Sequence, residues 1–416
     1  MNLFKTLSIY TLSSLISRSI PFLMLPIMTK YLSPEQYGVV ATVMVLVTLV
    51  SSPLFVGIHS YININFFKLG QQEHLRLVST LIRIPVVLLL PITAIFYIYI
   101  SFGGDTWSIP REWFICIPLL AMMTFFYRLV TILFRVKEQA GYFGIVEVFY
   151  SASQVGLALL FVVAWSKGLE GRLWSIFFSS FFINALAIFV LFKQGYLTNG
   201  FHKSFIKGSM KYGLGIIPHE LGSQLTRMVD RLFIVSLLGT SAVGTYAVAA
   251  QVASIGLVAL SVFNLAWQPY VFKMLSQDKE ETKLQLVRLS WLVLGAFFVF
   301  FMLLDYSTPY IYQYFIAEAY HSSIIYVQWL LLGFFFLAIY TLFCDYIFYI
   351  QKSYLLSIVT FVNVVFTLMF NYVFITEYGA IGATYAFALS SAFACLMVIV
   401  ISTHVYPMPW LRFRNV

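Results

Sequence analysis

Gly213-Leu-Gly-Ile-Ile-Pro218-His219-Glu220-Leu-Gly222-Ser-Gln224-Leu-Thr-Arg227-Met-Val-Asp230-Arg231, followed by an apolar run to Gly239 and then Ala-Val-Gly244-Thr-Tyr246, is the stretch that decides the fold. It is long and apolar enough to cross a bilayer, yet it carries Glu220, Arg227, Asp230 and Arg231. Ionisable groups at membrane depth are costly and are tolerated where they face a bundle interior or a watery cavity. Glu220, Gln224, Arg227 and Arg231 recur at helical spacing, so they share one face of a spanning helix. Snorkelling explains charges near a helix end. Arg227 lies about 14 residues, roughly 21 Å, beyond Gly213 at helical rise, and that depth favours an interior face.

The rest of the chain is equally apolar. Of its 416 residues 61% are hydrophobic and only 10% charged, with a mean hydropathy of +0.89. That composition excludes a soluble domain, and nothing alternates as a membrane β-barrel would. Twelve spans are expected, at 7–29, 37–61, 77–100, 113–134, 143–165, 173–192, 213–238, 242–270, 285–304, 323–348, 354–375 and 380–406. No cleavable signal peptide is expected, because Arg18 interrupts the apolar run that would form one. Cys116, Cys344 and Cys395 have neither metal nor redox spacing and read as small buried hydrophobes.

Orientation follows from the loops. One side collects sixteen Lys and Arg residues, among them Lys68, Arg135, Lys137, Lys193, Lys203, Lys283 and Arg412. The other collects four: Lys30, Arg111, Lys167 and Arg172. Positive residues mark the cytoplasmic side, so both termini are expected there.

The halves resemble each other. Leu32-Ser-Pro-Glu-Gln-Tyr-Gly38 parallels Leu238-Gly-Thr-Ser-Ala-Val-Gly244, and Gly168-Leu-Glu-Gly171 parallels Gly379-Ala-Ile-Gly382, at corresponding places. Six spans per half is an even number, so the copies share orientation, as lobes related by a pseudo-twofold axis along the membrane normal do. The expected division is an N-lobe at 1–192, a basic cytoplasmic linker at 193–212 and a C-lobe at 213–416. Pro21 and Pro26 fall in the first span and Pro218 in the seventh, corresponding helices, and are expected to interrupt them as hinges near a transport site. Helix-breaking residues are also common in spans without such a role, as Pro85, Pro91 and Pro118 illustrate.

Five arginines lie within spans: Arg18, Arg83, Arg128, Arg227 and Arg231. By depth they form a ladder, although Arg83, nearer the cytoplasmic end, can equally snorkel. Arg128 belongs to a polar stripe with Thr124 and Thr131. Guanidinium keeps its charge in a membrane and grips phosphate with two prongs, so a ladder suits an anionic, phosphate-bearing substrate. Glu147, on one face with Ser151 and Gln154, and Glu220 beside His219 are candidate proton or cation coupling groups. Asp230 reads as a structural ion-pair partner of Arg227, and Asp345 as an interfacial residue. There is no G-x-x-x-x-G-K-[ST] loop for ATP, no zinc-spaced cluster and no sizeable loop for an acid and a base, so an enzyme is not expected.

Three stretches carry a resemblance. Asp230-Arg231-Leu-Phe-Ile-Val-Ser-Leu-Leu-Gly239-Thr-Ser-Ala-Val-Gly244-Thr-Tyr246, Thr29-Lys30-Tyr31-Leu32-Ser-Pro-Glu35-Gln-Tyr37-Gly38 and Tyr378-Gly379-Ala-Ile-Gly382-Ala are similar to segments of polysaccharide-biosynthesis membrane proteins. The chain as a whole resembles the Wzx-type O-antigen flippases of the multidrug, oligosaccharidyl-lipid and polysaccharide exporter superfamily. The resemblance implies an all-α bundle of twelve transmembrane helices in two lobes around a central cavity, working by alternating access in the bacterial inner membrane. The implied cargo is an undecaprenyl-diphosphate-linked oligosaccharide bound for lipopolysaccharide. Membrane lipids and the polysaccharide polymerase machinery are the implied partners, with no nucleic acid. No cofactor or metal is expected beyond a proton or sodium gradient. Two alternatives remain: a drug or metabolite exporter of the same superfamily, and a membrane-embedded polysaccharide ligase or polymerase.

Overall fold

A computed structural model describes residue 17 and residues 19–197, 201–352 and 354–410, apart from the side chain of His219. Its regular elements are all helical, with no strand among the described residues. A bilayer core offers backbone groups no water, so a spanning segment has to satisfy them within itself, as a helix does. Among the described residues, ten helices are long and apolar enough to cross a membrane. The chain is an all-α multi-pass membrane protein.

The residues up to Leu225 form one compact unit. It contains α1 (19–31), α2 (Pro34–Phe55), α3 (Ile58–Phe66), α4 (Gln71–Leu81), α5 (Arg83–Ser101), α6 (Arg111–Val136), α7 (Ala140–Ala158), α8 (Gly168–Lys193) and the first part of α9 (Lys203–Leu238). Helix α6 packs against α2, α3, α5, α7 and α8. Its Ile117, Ala121, Phe125 and Leu129 are fully buried and recur every four residues, so they form the seam of the apolar core. Helix α2 starts in a capping box: Ser33 Oγ accepts from Gln36 N, and Gln36 Oε1 accepts from Ser33 N, both at 3.2 Å. At the other end of α6, Lys137 donates to Gln194 Oε1 at 2.8 Å and lies over the Tyr196 ring. Burial holds that ammonium below the ordinary lysine value and pushes the Tyr196 phenol up to about 12.

The second unit runs from Thr226 and holds the rest of α9, then α10 (Thr240–Leu275), α11 (Glu280–Phe315), a 3-10 turn (Glu318–Ser323), α12 (Ile324–Tyr349), α13 (Tyr354–Tyr378) and α14 (Ala380–Val405). Here α12 is central, packing against α10, α11, α13 and α14. Large apolar side chains stand outward on α5, α11 and α13, with Leu90 75%, Leu292 70% and Phe361 73% exposed. Lipid tails match that surface, whereas water would penalise it at roughly 25 cal/mol per Å².

Each expected span coincides with helix, the first only in part because residues 7–16 lie outside the described set. Helix α9 is not among the ten apolar spans, since Glu220, Arg227, Asp230 and Arg231 lower its hydropathy. One span read as a single rod is broken. The 37–61 span bends at Val56 and Gly57, both at positive φ, whereas the 77–100 span runs on from α4 to α5 with Ile82 still in helical geometry. Conversely, helix continues through Pro21, Pro26 and Pro218, which were expected to interrupt it. A proline removes one N–H donor and crowds one carbonyl, and here the neighbouring turns keep their helical geometry around it.

The repeated glycine motif has the same physical basis in each unit. Gly168 and Gly379 turn the chain at positive φ. Three residues later, a Cβ on Gly171 would lie 2.7 Å from the Phe161 carbonyl oxygen, and one on Gly382 would lie 1.9 Å from that of Phe374. Both glycines let a returning helix touch the main chain of the helix before it.

Candidate functional site

In the first unit the charged groups gather around α6 and α7. Arg128 is exposed at its side chain yet surrounded: its guanidinium lies 5.7 Å from the Phe55 ring centroid. Tyr127, Tyr150 and the Glu220 carboxylate are within electrostatic reach of it. His59 packs beside the same Phe55 ring, with Nε2 3.0 Å from the Phe125 carbonyl oxygen and its ring edge-on to Phe55. The hydroxyls of Thr124 and Thr131, expected to extend the Arg128 stripe, turn back onto their own helix, bonding the carbonyls of Ala121 and Arg128 at 2.9 Å. Ser and Thr in helices commonly satisfy themselves this way.

Glu147, a candidate coupling group, is half-buried and accepts a hydrogen bond from the Tyr127 hydroxyl on the neighbouring helix. One turn on, Ser151 donates to Ser17 at 3.1 Å, tying α7 to the first helix. Glu220 acts on Arg128, and Gln224, one turn further along α9, donates to Ser52 Oγ at 2.9 Å. Gly213 and Gly57 admit that contact: a Cβ on Gly213 would lie 2.1 Å from the Val56 carbonyl oxygen, so α9 seats on the bend between α2 and α3. Arg83 lies apart, its guanidinium 5.9 Å from the Phe201 ring centroid. Arg18 lies outside the described residues, as does the side chain of His219.

Arg172 was counted among the outer loop charges, but the structure places it within α8. Its Nη1 donates to Ser175 Oγ at 3.3 Å, and Tyr37 and Tyr150 are within electrostatic reach. No carboxylate acts on it among the described residues. Tyr150 is thus within electrostatic reach of two arginines, Arg128 of α6 and Arg172 of α8. Sequence reading missed Arg172 because it sits four residues past a helix start, where a charge ordinarily reaches water. The signal that marks it is Ser175 one turn on, a partner on its own face.

In the second unit, Asp230 accepts from the Tyr246 hydroxyl and from the Arg231 backbone N at 2.8 Å. The Arg231 guanidinium is 3.9 Å from that carboxylate and lies over the Tyr246 ring. Asp230 is therefore tied to Arg231 and Tyr246. Arg227 is exposed, and its carbonyl oxygen accepts from Arg231 Nη1 at 3.5 Å. Asp345, expected at the interface, is 1% exposed and receives Gln268 Nε2 at 3.0 Å. Its depth is set by α10 packing over α12, which its place near a helix end does not reveal.

The fold is shared with solved membrane transporters. The chain is similar to an inward-facing multidrug resistance MATE family transporter of the MOP superfamily, with TM-score 0.72 at 16% identity over 93% of this chain and 94% of that one. It is also similar to the lipid II flippase MurJ in an inward closed conformation, with TM-score 0.67 at 15% identity over 94% and 87% of the two chains. Likeness at that identity speaks for the fold. The polysaccharide biosynthesis protein model matches residues 3–275, and the chain belongs to that family. A second model, MatE, matches residues 216–373. An uncharacterized membrane protein of Haemophilus influenzae is 25% identical over 295 residues, 68% of each chain.

Proposed function

We propose that this protein is a flippase. It carries an undecaprenyl-diphosphate-linked oligosaccharide from the cytoplasmic to the periplasmic leaflet of the bacterial inner membrane by alternating access, for assembly of a surface polysaccharide such as O-antigen. The observation that carries this reading is the accessible Arg128 beside the Phe55 ring, with Tyr150 within electrostatic reach of both Arg128 and Arg172. A diphosphate leaving the leaflet surface loses hydration, and guanidinium groups replace it with charge-assisted hydrogen bonds. Aromatic faces such as Phe55, Tyr127 and Tyr150 suit sugar rings and isoprenoid methyls alike. Arg18 and Arg83 are proposed as further substrate-binding residues of the first unit and Arg227 and Arg231 as those of the second, with Pro21, Pro26 and Pro218 as positions where the helices flex. Membership of the polysaccharide biosynthesis family supports the same cargo.

Removal of the protein tests this. The cell is expected to accumulate a lipid-linked oligosaccharide on the cytoplasmic side and to lose the matching surface polysaccharide, with both reversed by the wild-type chain. Unchanged surface polysaccharide, with no accumulated intermediate, would overturn the reading. The MatE match over residues 216–373 favours one competitor, a drug exporter. That reading requires increased drug sensitivity on removal with polysaccharide intact.

A further inference from the structure

The first unit places each of its candidate coupling carboxylates beside a partner: Glu147 takes the Tyr127 hydroxyl, and Glu220 lies near Arg128. Asp345 in the second unit is different. It is 1% exposed, and its Oδ1 accepts from Gln268 Nε2. Its Oδ2 is buried without a donor. On α10, Asn264 lies one turn before Gln268 and on the same face, and its Oδ1 is also buried without a donor. Trp267 Nε1, beside Gln268, is buried without an acceptor. A buried carboxylate oxygen left without a donor, with two further orphaned polar atoms on the helix that donates to its other oxygen, is unusual, because interiors satisfy nearly all of theirs.

The surroundings supply no counter-charge. On α12 itself the titratable neighbours are Cys344 and Tyr346, with Tyr340 bonded to Cys344. Helix α14 contributes Cys395, behind Cys344, and α11 contributes Ser290, which bonds Tyr346. Tyr406 approaches Tyr346 from beyond α14. Lys283 of α11 is bound to Asp278 at 2.9 Å and lies over the Tyr406 ring. No lysine, arginine or histidine acts on Asp345 from α10, α11, α13 or α14 among the described residues. A bare carboxylate so placed is strongly disfavoured, and a bound cation relieves it.

We propose that Asp345 is a cation-coupling site occupied by a proton, taken up from water on one side of the membrane and released to the other during transport. The only bond made and broken is O–H. The donor set favours a proton over sodium. A hard cation needs several converging oxygens, whereas the group that meets Asp345 is the Gln268 amide N–H, a donor that a metal cation cannot use. Protonation neutralises the buried carboxylate and turns its orphaned Oδ2 into a hydroxyl, which removes the cost of leaving a bare charge there. The coupling half of this proposal rests on the flippase reading, whereas the proton site itself does not.

The test uses purified full-length protein in lipid nanodiscs and in vesicles. Infrared spectra of the wild type at neutral pH are expected to show a carboxylic acid C=O band that shifts in D2O and is unchanged when potassium is replaced by sodium. Asp345→Asn should remove that band, while Asp278→Asn, at an exposed loop acid, should keep it. An imposed proton gradient should accelerate lipid-linked oligosaccharide movement several-fold in wild-type vesicles and leave Asp345→Asn unaffected. Absence of the band in the wild type, or its survival in Asp345→Asn, would overturn the site. A band abolished by sodium would overturn the proton assignment. Movement indifferent to the gradient in the wild type would overturn the coupling. Wild-type vesicles that move no lipid-linked oligosaccharide at all would overturn the flippase reading and leave the infrared result standing.

Discussion

Arg128 presents its guanidinium near the Phe55 ring, within electrostatic reach of the tyrosines of α6 and α7, and Arg172 is within reach of Tyr150 as well. Each hydrogen bond to a charged group is worth about 1.5–3 kcal/mol, so Arg128→Ala and Arg172→Ala should each slow translocation by about 10–100-fold. Membrane levels of both variants should stay near normal, because neither residue forms an ion pair within 4 Å among the described residues. Arg128→Lys should restore activity only in part, since an ammonium lacks the planar fork. Complementation read beside immunoblots measures both. The carboxylates behave differently. Tyr246→Phe leaves Asp230 short of its phenolic donor, and Tyr127→Phe does the same to Glu147. Each is expected to cost about 1–3 kcal/mol of stability, visible as a lower unfolding temperature in detergent. The sequence shows that Glu147 and Asp230 lie at membrane depth, but not that tyrosines from neighbouring positions would hold them. Such partners depend on how helices are rotated against each other, which hydropathy does not encode.

At the scale of helices, close backbone approach makes the sharper predictions. A methyl group on Gly213 meets the Val56 carbonyl at 2.1 Å, and one on Gly382 meets that of Phe374 at 1.9 Å. Gly213→Ala and Gly382→Ala should each destabilise the protein by about 1–3 kcal/mol as the helices are forced apart. Gly295→Ala has nothing within 4 Å and should be neutral or stabilising, by up to about 1 kcal/mol. Thermal unfolding of the three variants side by side checks the contrast. The all-helical, multi-pass class was legible because every crossing needs about 20 apolar residues. The bend at Val56 and Gly57 was not, because the contact that accompanies it comes from Gly213, far along the chain. Asp345 was misread for a similar reason: Gln268, which covers it, is 77 residues away.

For the molecule as a whole, the distribution of lysine and arginine predicts sidedness. A single cysteine at Lys203, in a chain with Cys116, Cys344 and Cys395 replaced, should be labelled only from the cytoplasm, and one at Asp105 only from outside. Both positions are exposed, so an impermeant thiol reagent reports side rather than burial. Labelling of both from one side would overturn the twelve-span arrangement. The glycine turns bear on how such a molecule can move. Where Gly171 meets the Phe161 carbonyl and Gly382 meets that of Phe374, no side chain lies between the rods to act as a cushion. A joint of bare main chain has no slack: a displacement applied at one rod passes undamped into the next. Each hairpin therefore swings as a welded lever, and the compliance a carrier needs to change shape has to reside elsewhere along its helices.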